Sequence, residues 1–279
     1  MPSLDPVLDS AWLRAHLEEV VVADVRWYLD GRSGREAYRD GHIQGAVWVD
    51  LDTVLAGPAT TAGGRHPVPD ATDFALGLGA LGIGDGTTVV AYDDNHGAYA
   101  ARLVWLLRRT GRNAALLDAG LAAWDGKLET GYVQPSPVPH TVVEWPPDLF
   151  RTADDVTAAL ASGSAVVLDA RAADRYTGEN VLPSDVRSGH IPGARSAPWA
   201  DNLAGDGSFA SPEKLREHYG KRGVTRETDV VVYCGSGVTA CHDLLALERA
   251  GVGSTALYPG SWSAWSADLA RPVAERKDA

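Results

Sequence analysis

Cysteine is scarce in this sequence. Cys234 and Cys241 are the only two in 279 residues, too few for a disulfide framework and suited to a reducing compartment such as the cytoplasm. No apolar run reaches the roughly 18 to 20 residues that a membrane span needs. The opening residues, Met1-Pro2-Ser3-Leu4-Asp5, lack a basic segment followed by an apolar core, so they do not read as a signal peptide. Basic charge is also short, with 25 Lys and Arg against 37 Asp and Glu and a net charge of −12. That balance argues against nucleic acid and anionic membrane as partners. Metal-ligand spacing is missing, since the two cysteines are seven apart and the 8 histidines are scattered. No metal or other cofactor is expected. A small anionic substrate stays open if arginines and N–H donors gather locally against the global field.

What remains is an ordinary globular composition, 45% hydrophobic and 22% charged, in a chain long enough for two domains. The chain is a repeat. An offset of 141 residues lays Gly223-Val224 on Gly82-Ile83, Tyr233 on Tyr92, Leu244 and Leu247 on Leu103 and Leu106, and Ala264-Trp265 on Ala123-Trp124. Earlier in each half the offset drifts, as loop insertions would cause. There Asp169-Ala170-Arg171 answers Asp24-Val25-Arg26, and Gly189-His190-Ile191-Pro192-Gly193-Ala194 answers Gly41-His42-Ile43-Gln44-Gly45-Ala46. Two copies of one domain follow: residues 1–133, a proline-rich linker 134–149, and residues 150–279. Apolar runs at 20–23, 89–92, 165–168 and 230–233 read as buried parallel strands, with helical patterns between them. The expected fold class is α/β, each copy a parallel sheet flanked by helices on both faces.

The run Asp229-Val230-Val231-Val232-Tyr233 leads straight into Cys234-Gly235-Ser236-Gly237, after which a helical pattern begins. A cysteine between a strand end and a helix start meets converging backbone N–H groups and the positive end of the helix dipole. That setting stabilises a thiolate nucleophile. The same residue also reads as a buried cysteine in a turn. The offset places Asp93 opposite Cys234, so the first copy keeps the scaffold and loses the nucleophile. Cys241, two helical turns further on, reads as core.

Together these features resemble the rhodanese family of sulfurtransferases. The resemblance runs from about Asp9 to Pro272. It rests on the tandem layout, the paired Gly-His-Ile-x-Gly-Ala segments, the acidic first loop, and Cys234-Gly235-Ser236-Gly237-Val238-Thr239 followed by Gly260-Ser261-Trp262. Within the family it is similar to the 3-mercaptopyruvate branch. The thiosulfate branch carries an Arg-Lys pair where Gly235-Ser236 stand here. Thiosulfate holds its charge close to the transferred sulfur, whereas the carboxylate of 3-mercaptopyruvate lies several atoms away. A clamp outside the loop is therefore expected, from Arg175 and Arg187, since arginine binds a carboxylate in bidentate fashion. Without the resemblance each arginine reads as a surface ion-pair partner.

The resemblance implies a Cys234 persulfide, donor binding by Gly235, Gly237, Val238 and Thr239, a proton-moving role for Ser236 and a relay histidine at His42. Against that last role, His190 fills the same motif position in the second copy. It also implies a thiol acceptor such as thioredoxin, or cyanide. Thiosulfate sulfurtransferase is the alternative enzyme. A cysteine phosphatase would need His and Arg where Tyr233 and Ala240 stand. A non-catalytic sulfur-carrier module is the remaining alternative.

Overall fold

In a computed structural model, residues 4–275 are described. Met1–Ser3 and 276–279, at the outer limits of the two expected domains and including the start of the opening segment read above, lie outside them. The chain divides into two compact units. The first takes the chain up to Gly57, then Pro69–Pro146 and Gly207–Phe209. The second takes Pro58–Val68, Pro147–Asp206 and the chain from Ala210 onward. The cut in space is therefore not a single cut in sequence: each unit includes a short piece of the other half.

The first unit runs β1 (Val7–Leu8), α1 (Ser10–Ala15), β2 (Val21–Asp24), α2 (Gly34–Asp40), β3 (His42–Ile43), β4 (Val47–Trp48), α3 (Ala71–Ala80), β5 (Val89–Tyr92), α4 (Ala100–Arg109), β6 (Ala114–Leu117) and β7 (Leu128–Glu129). The second runs α5 (Ala153–Ser162), β8 (Val166–Asp169), α6 (Ala173–Thr177), β9 (Arg195–Ser196), α7 (Pro212–Gly220), β10 (Asp229–Tyr233), α8 (Ala240–Ala250), β11 (Ser254–Leu257) and α9 (Ser261–Ala267). The first sheet has the order β1-β6-β5-β2-β4 and the second β11-β10-β8-β9, every pairing within them parallel. A parallel bridge from Phe150 to Leu257 extends the second sheet where β1 extends the first.

Local chemistry explains the boundaries. Thr152 and Asp155 cap α5 reciprocally, and Gly163 ends it with φ 67°, a left-handed angle that glycine adopts without strain. Ser211 caps α7, with Pro212 in its first turn. The central strands are apolar runs because both faces are covered: all four residues of β5 are buried, as are Val230–Tyr233 of β10. The core of the first unit gathers Leu13, Val22, Ile43, Val90 and Leu117; that of the second gathers Val156, Val167, Ile191, Tyr233, Trp262 and Trp265.

A polar frame is built twice. Arg26 donates to both Asp24 oxygens and to the Gly41 carbonyl, and Arg171 does the same with Asp169 and Gly189. The Ile43 amide donates to the Tyr92 hydroxyl, as Ile191 does to Tyr233. His42 stacks on Tyr38 with Nδ1 2.9 Å from the Tyr38 carbonyl, and His190 stacks on Tyr176 with Nδ1 2.8 Å from its carbonyl. His42 thus does in the first unit what His190 does in the second. It braces a turn, and among the described residues its Nε2 has no hydrogen-bond partner that would form the expected relay.

Candidate active site

β10 is flanked on both sides by parallel strands, so its carboxyl end opens where ligands of such sheets bind. Cys234 is the next residue and only 2% exposed. Its amide donates to Ser261 Oγ at 3.2 Å and its carbonyl accepts from the Trp262 amide at 2.9 Å. The Gly235 carbonyl accepts from the Ser263 amide at 2.9 Å. The start of α9 thus fixes the loop at two successive residues. Gly237 has φ 76°, and a Cβ there would lie 2.7 Å from the Pro259 carbonyl oxygen, so only glycine fits. This bend lets the Gly237 amide donate to Cys234 Sγ at 3.1 Å. Thr239 is the N-cap of α8 and makes no side-chain cap bond. Among the described residues nothing accepts a hydrogen bond from the amides of Ser236, Val238, Thr239 or Ala240. These donors, with the dipole of α8 behind them, are available to an anion at the sulfur.

The first unit supplies the contrast. Asp93, fully buried, folds its carboxylate into the matching loop. It accepts from the amides of Asn95 and Gly97 at 2.8 Å each, of Tyr99 at 2.8 Å and of Ala100 at 2.9 Å. Burial pushes this carboxyl up, and the four amide donors pull it back. The first loop carries its own anion and spends four of its amides on it.

Two side chains from the first half of the sequence complete the second site. Ser236 Oγ lies 2.8 Å from Nδ1 of His66, across 170 residues of sequence. Arg65 reaches the same loop: a Cβ at Gly235 would lie 3.2 Å from Nη2 of Arg65 and 3.2 Å from Nη2 of Arg175. Asp185, its side chain 2% exposed, binds Arg175 at 2.7 Å and lies 3.6 Å from Arg65. The structure thus brings together Cys234, Ser236, Arg175 and the loop residues Gly235, Gly237, Val238 and Thr239, and adds His66, Arg65 and Asp185.

Arg187 is engaged elsewhere. Its guanidinium donates to the carbonyls of Trp265, Ser266, Asp268 and Arg271, closing the C-terminal end of α9. The second arm of the clamp expected from Arg187 is not assembled there. Trp262 and Cys241 are fully buried, with Trp262 packed on Arg171 and donating to the Arg187 carbonyl. Among the described residues no cluster of three His, Cys, Asp or Glu could hold a metal, and no helix is long and apolar enough to cross a membrane. Sequence reasoning missed Arg65 and His66 because Gly57–Pro69 has no helical or strand period.

The family model of the rhodanese-like domain matches twice, at residues 9–127 and 152–268. The chain belongs to the rhodanese family. Among rhodanese relatives, a probable 3-mercaptopyruvate sulfurtransferase of Pseudomonas aeruginosa is 41% identical, over 96% of this chain and 97% of that protein. A putative thiosulfate sulfurtransferase, SseB, of Mycobacterium tuberculosis is 40% identical, over 92% of this chain and 91% of that protein. The solved 3-mercaptopyruvate sulfurtransferase of Leishmania major superposes with a TM-score of 0.83 at 30% identity, covering 98% of this chain and 78% of that one.

Proposed function

We propose that the protein is a sulfurtransferase that takes sulfur from 3-mercaptopyruvate onto Cys234 as a persulfide and passes it to a thiol or to cyanide. The observation that carries this reading is the Cys234 loop, where the Gly237 amide already donates to Sγ and its neighbours have no acceptor of their own. The Cys234 thiolate attacks the donor sulfur, the C–S bond breaks, and its electron pair leaves with the enolate of pyruvate. The persulfide sulfur gives up the donor's thiol proton and the enolate carbon takes one up, so the step is proton-neutral. The 2.8 Å contact between Ser236 Oγ and His66 Nδ1 supports giving that proton to this pair, and the loop amides would hold the persulfide anion. An acceptor thiolate then attacks the outer sulfur and frees Cys234. A dithiol protein of the thioredoxin type would release sulfide and keep a disulfide. Turnover by thiols suits a reducing compartment such as the cytoplasm.

The first unit contributes no nucleophile in this scheme. Thiosulfate is the alternative donor and is the substrate in the name of the Mycobacterium tuberculosis relative. Comparing kcat/KM for the two donors, by pyruvate and by sulfite release, decides between them. The reading expects the higher value for 3-mercaptopyruvate and no release of either product by Cys234→Ser. Pyruvate release undiminished in Cys234→Ser would remove Cys234 from the chemistry.

A further inference from the structure

The strap Pro58–Val68 is pinned before it reaches the site. Thr60 and Gly64 exchange two backbone hydrogen bonds, at 3.2 and 2.8 Å, which closes a tight turn. Gly64 has φ 77°, and a Cβ there would lie 2.5 Å from the Gly260 carbonyl oxygen. The next amide, that of Arg65, donates to Ser263 Oγ at 3.1 Å, and Ser263 in turn holds the Gly235 carbonyl. The strap and the Cys234 loop are thus fastened to the same end of α9, and the Arg65 guanidinium is delivered beside Gly235. There it donates to the Ser184 carbonyl at 2.9 Å and faces the Asp185 carboxylate that binds Arg175. Arg65 is also the most exposed member of this cluster, with its side chain 29% exposed against 15% for Arg175 and 2% for Asp185.

Two cations and one carboxylate leave this cluster with one net positive charge. A donor with a single carboxylate, such as a mercapto-acid, neutralises it. Thiosulfate, a dianion, would leave an uncompensated negative charge in a largely buried site of a protein whose net charge is already −12. A cluster without Asp185 would have the reverse preference. We propose that Arg65 is the second arm of the donor clamp and that Asp185 sets the clamp's charge, so that the site selects monoanionic over dianionic sulfur donors. This rests on the sulfurtransferase reading above. It adds an arginine from the first half of the chain and a discriminating carboxylate to it.

The test is the ratio of kcat/KM for thiosulfate to that for 3-mercaptopyruvate in the full-length protein and its variants. Asp185→Asn raises the clamp by one positive charge, and the ratio should rise about tenfold or more. Arg65→Ala lowers the clamp by one. It should weaken 3-mercaptopyruvate about 10- to 100-fold and thiosulfate further, so the ratio falls. Arg65→Lys keeps the charge and should keep the ratio while losing part of the rate. Arg187→Ala should lower Tm and leave the ratio alone. Opposite movements for Asp185→Asn and Arg65→Ala support the proposal. A ratio that stays fixed, or moves the same way in both variants, overturns it. Should Asp185→Asn fail to fold, a ratio unmoved by Arg65→Ala overturns it alone. If the wild type forms no persulfide from either donor, the sulfurtransferase reading itself fails; persulfide formation with unmoved ratios sinks only the clamp.

Discussion

The chemical contrast between the two loops centres on one position. Asp93 and Cys234 stand at equivalent positions, each at the end of a central strand and the start of a helix. The carboxylate turns inward and takes four amides, whereas the sulfur takes one and leaves the others available. A second buried carboxyl, Asp243 on α8, makes a prediction of its own. Asn202 Nδ2 donates to its Oδ1 at 2.7 Å, while Oδ2 has no hydrogen-bond partner among the described residues. Burial pushes this carboxyl well above its ordinary 3.8, against the smaller pull of Asn202. A carboxyl whose folded pKa lies above its unfolded one binds its proton more tightly when folded. Its contribution to stability is full below the unfolded value and is lost as pH rises through the folded one. Asp243→Asn should therefore gain in urea midpoint over the wild type as pH rises from about 4 to 7. A difference that does not change with pH would contradict the assigned direction. The gathering of Cys234, Ser236 and Arg175 around one loop was legible in the sequence because each sits in a local pattern. Asp185 was not, because a lone carboxylate in an irregular segment declares no partner.

At the scale of elements, the site is a strand end fastened to the first turn of α9. The strands and helices that place it were legible as apolar runs and periodic stretches, and the doubling of the pattern confirmed each against its twin. The loop's attachment to Ser261–Ser263 was not legible, because it consists of two backbone bonds and one to Ser261 Oγ across more than twenty residues. Arg187 sits apart from the cluster for a related reason: sequence distance put it near the motif, but carbonyls at the end of α9 take its donors. Gly237 tests this level. Gly237→Ala forces a left-handed residue to carry a Cβ against Pro259 and should cost about 1 to 3 kcal/mol of stability. It should also displace the amide from Cys234 Sγ, so persulfide yield should drop in the protein that still folds. A variant with unchanged denaturation midpoint and unchanged yield would show that the bend is not needed.

At the scale of the molecule, the repeat is joined by exchange. Pro58–Val68 of the first half belongs to the second unit, and Gly207–Phe209 of the second half belongs to the first. Each segment approaches the other half's loop: His66 lies on Ser236, and the Gly207 carbonyl is 3.1 Å from His96 Nδ1, in the loop of Asp93. In the proposed scheme the first half of the chain lacks the nucleophile but supplies Arg65 and His66. His66→Ala should slow persulfide formation about 100-fold or more while leaving the free Cys234 thiol titratable. An unchanged rate would make the Ser236–His66 contact structural.

The most direct test of the central claim is the mass of the full-length protein after one turnover with 3-mercaptopyruvate and no acceptor, followed by peptide mapping. One added sulfur atom is expected on the peptide containing Cys234, removed by a thiol or cyanide and absent in Cys234→Ser. No added sulfur, or sulfur found on Cys241, would contradict it.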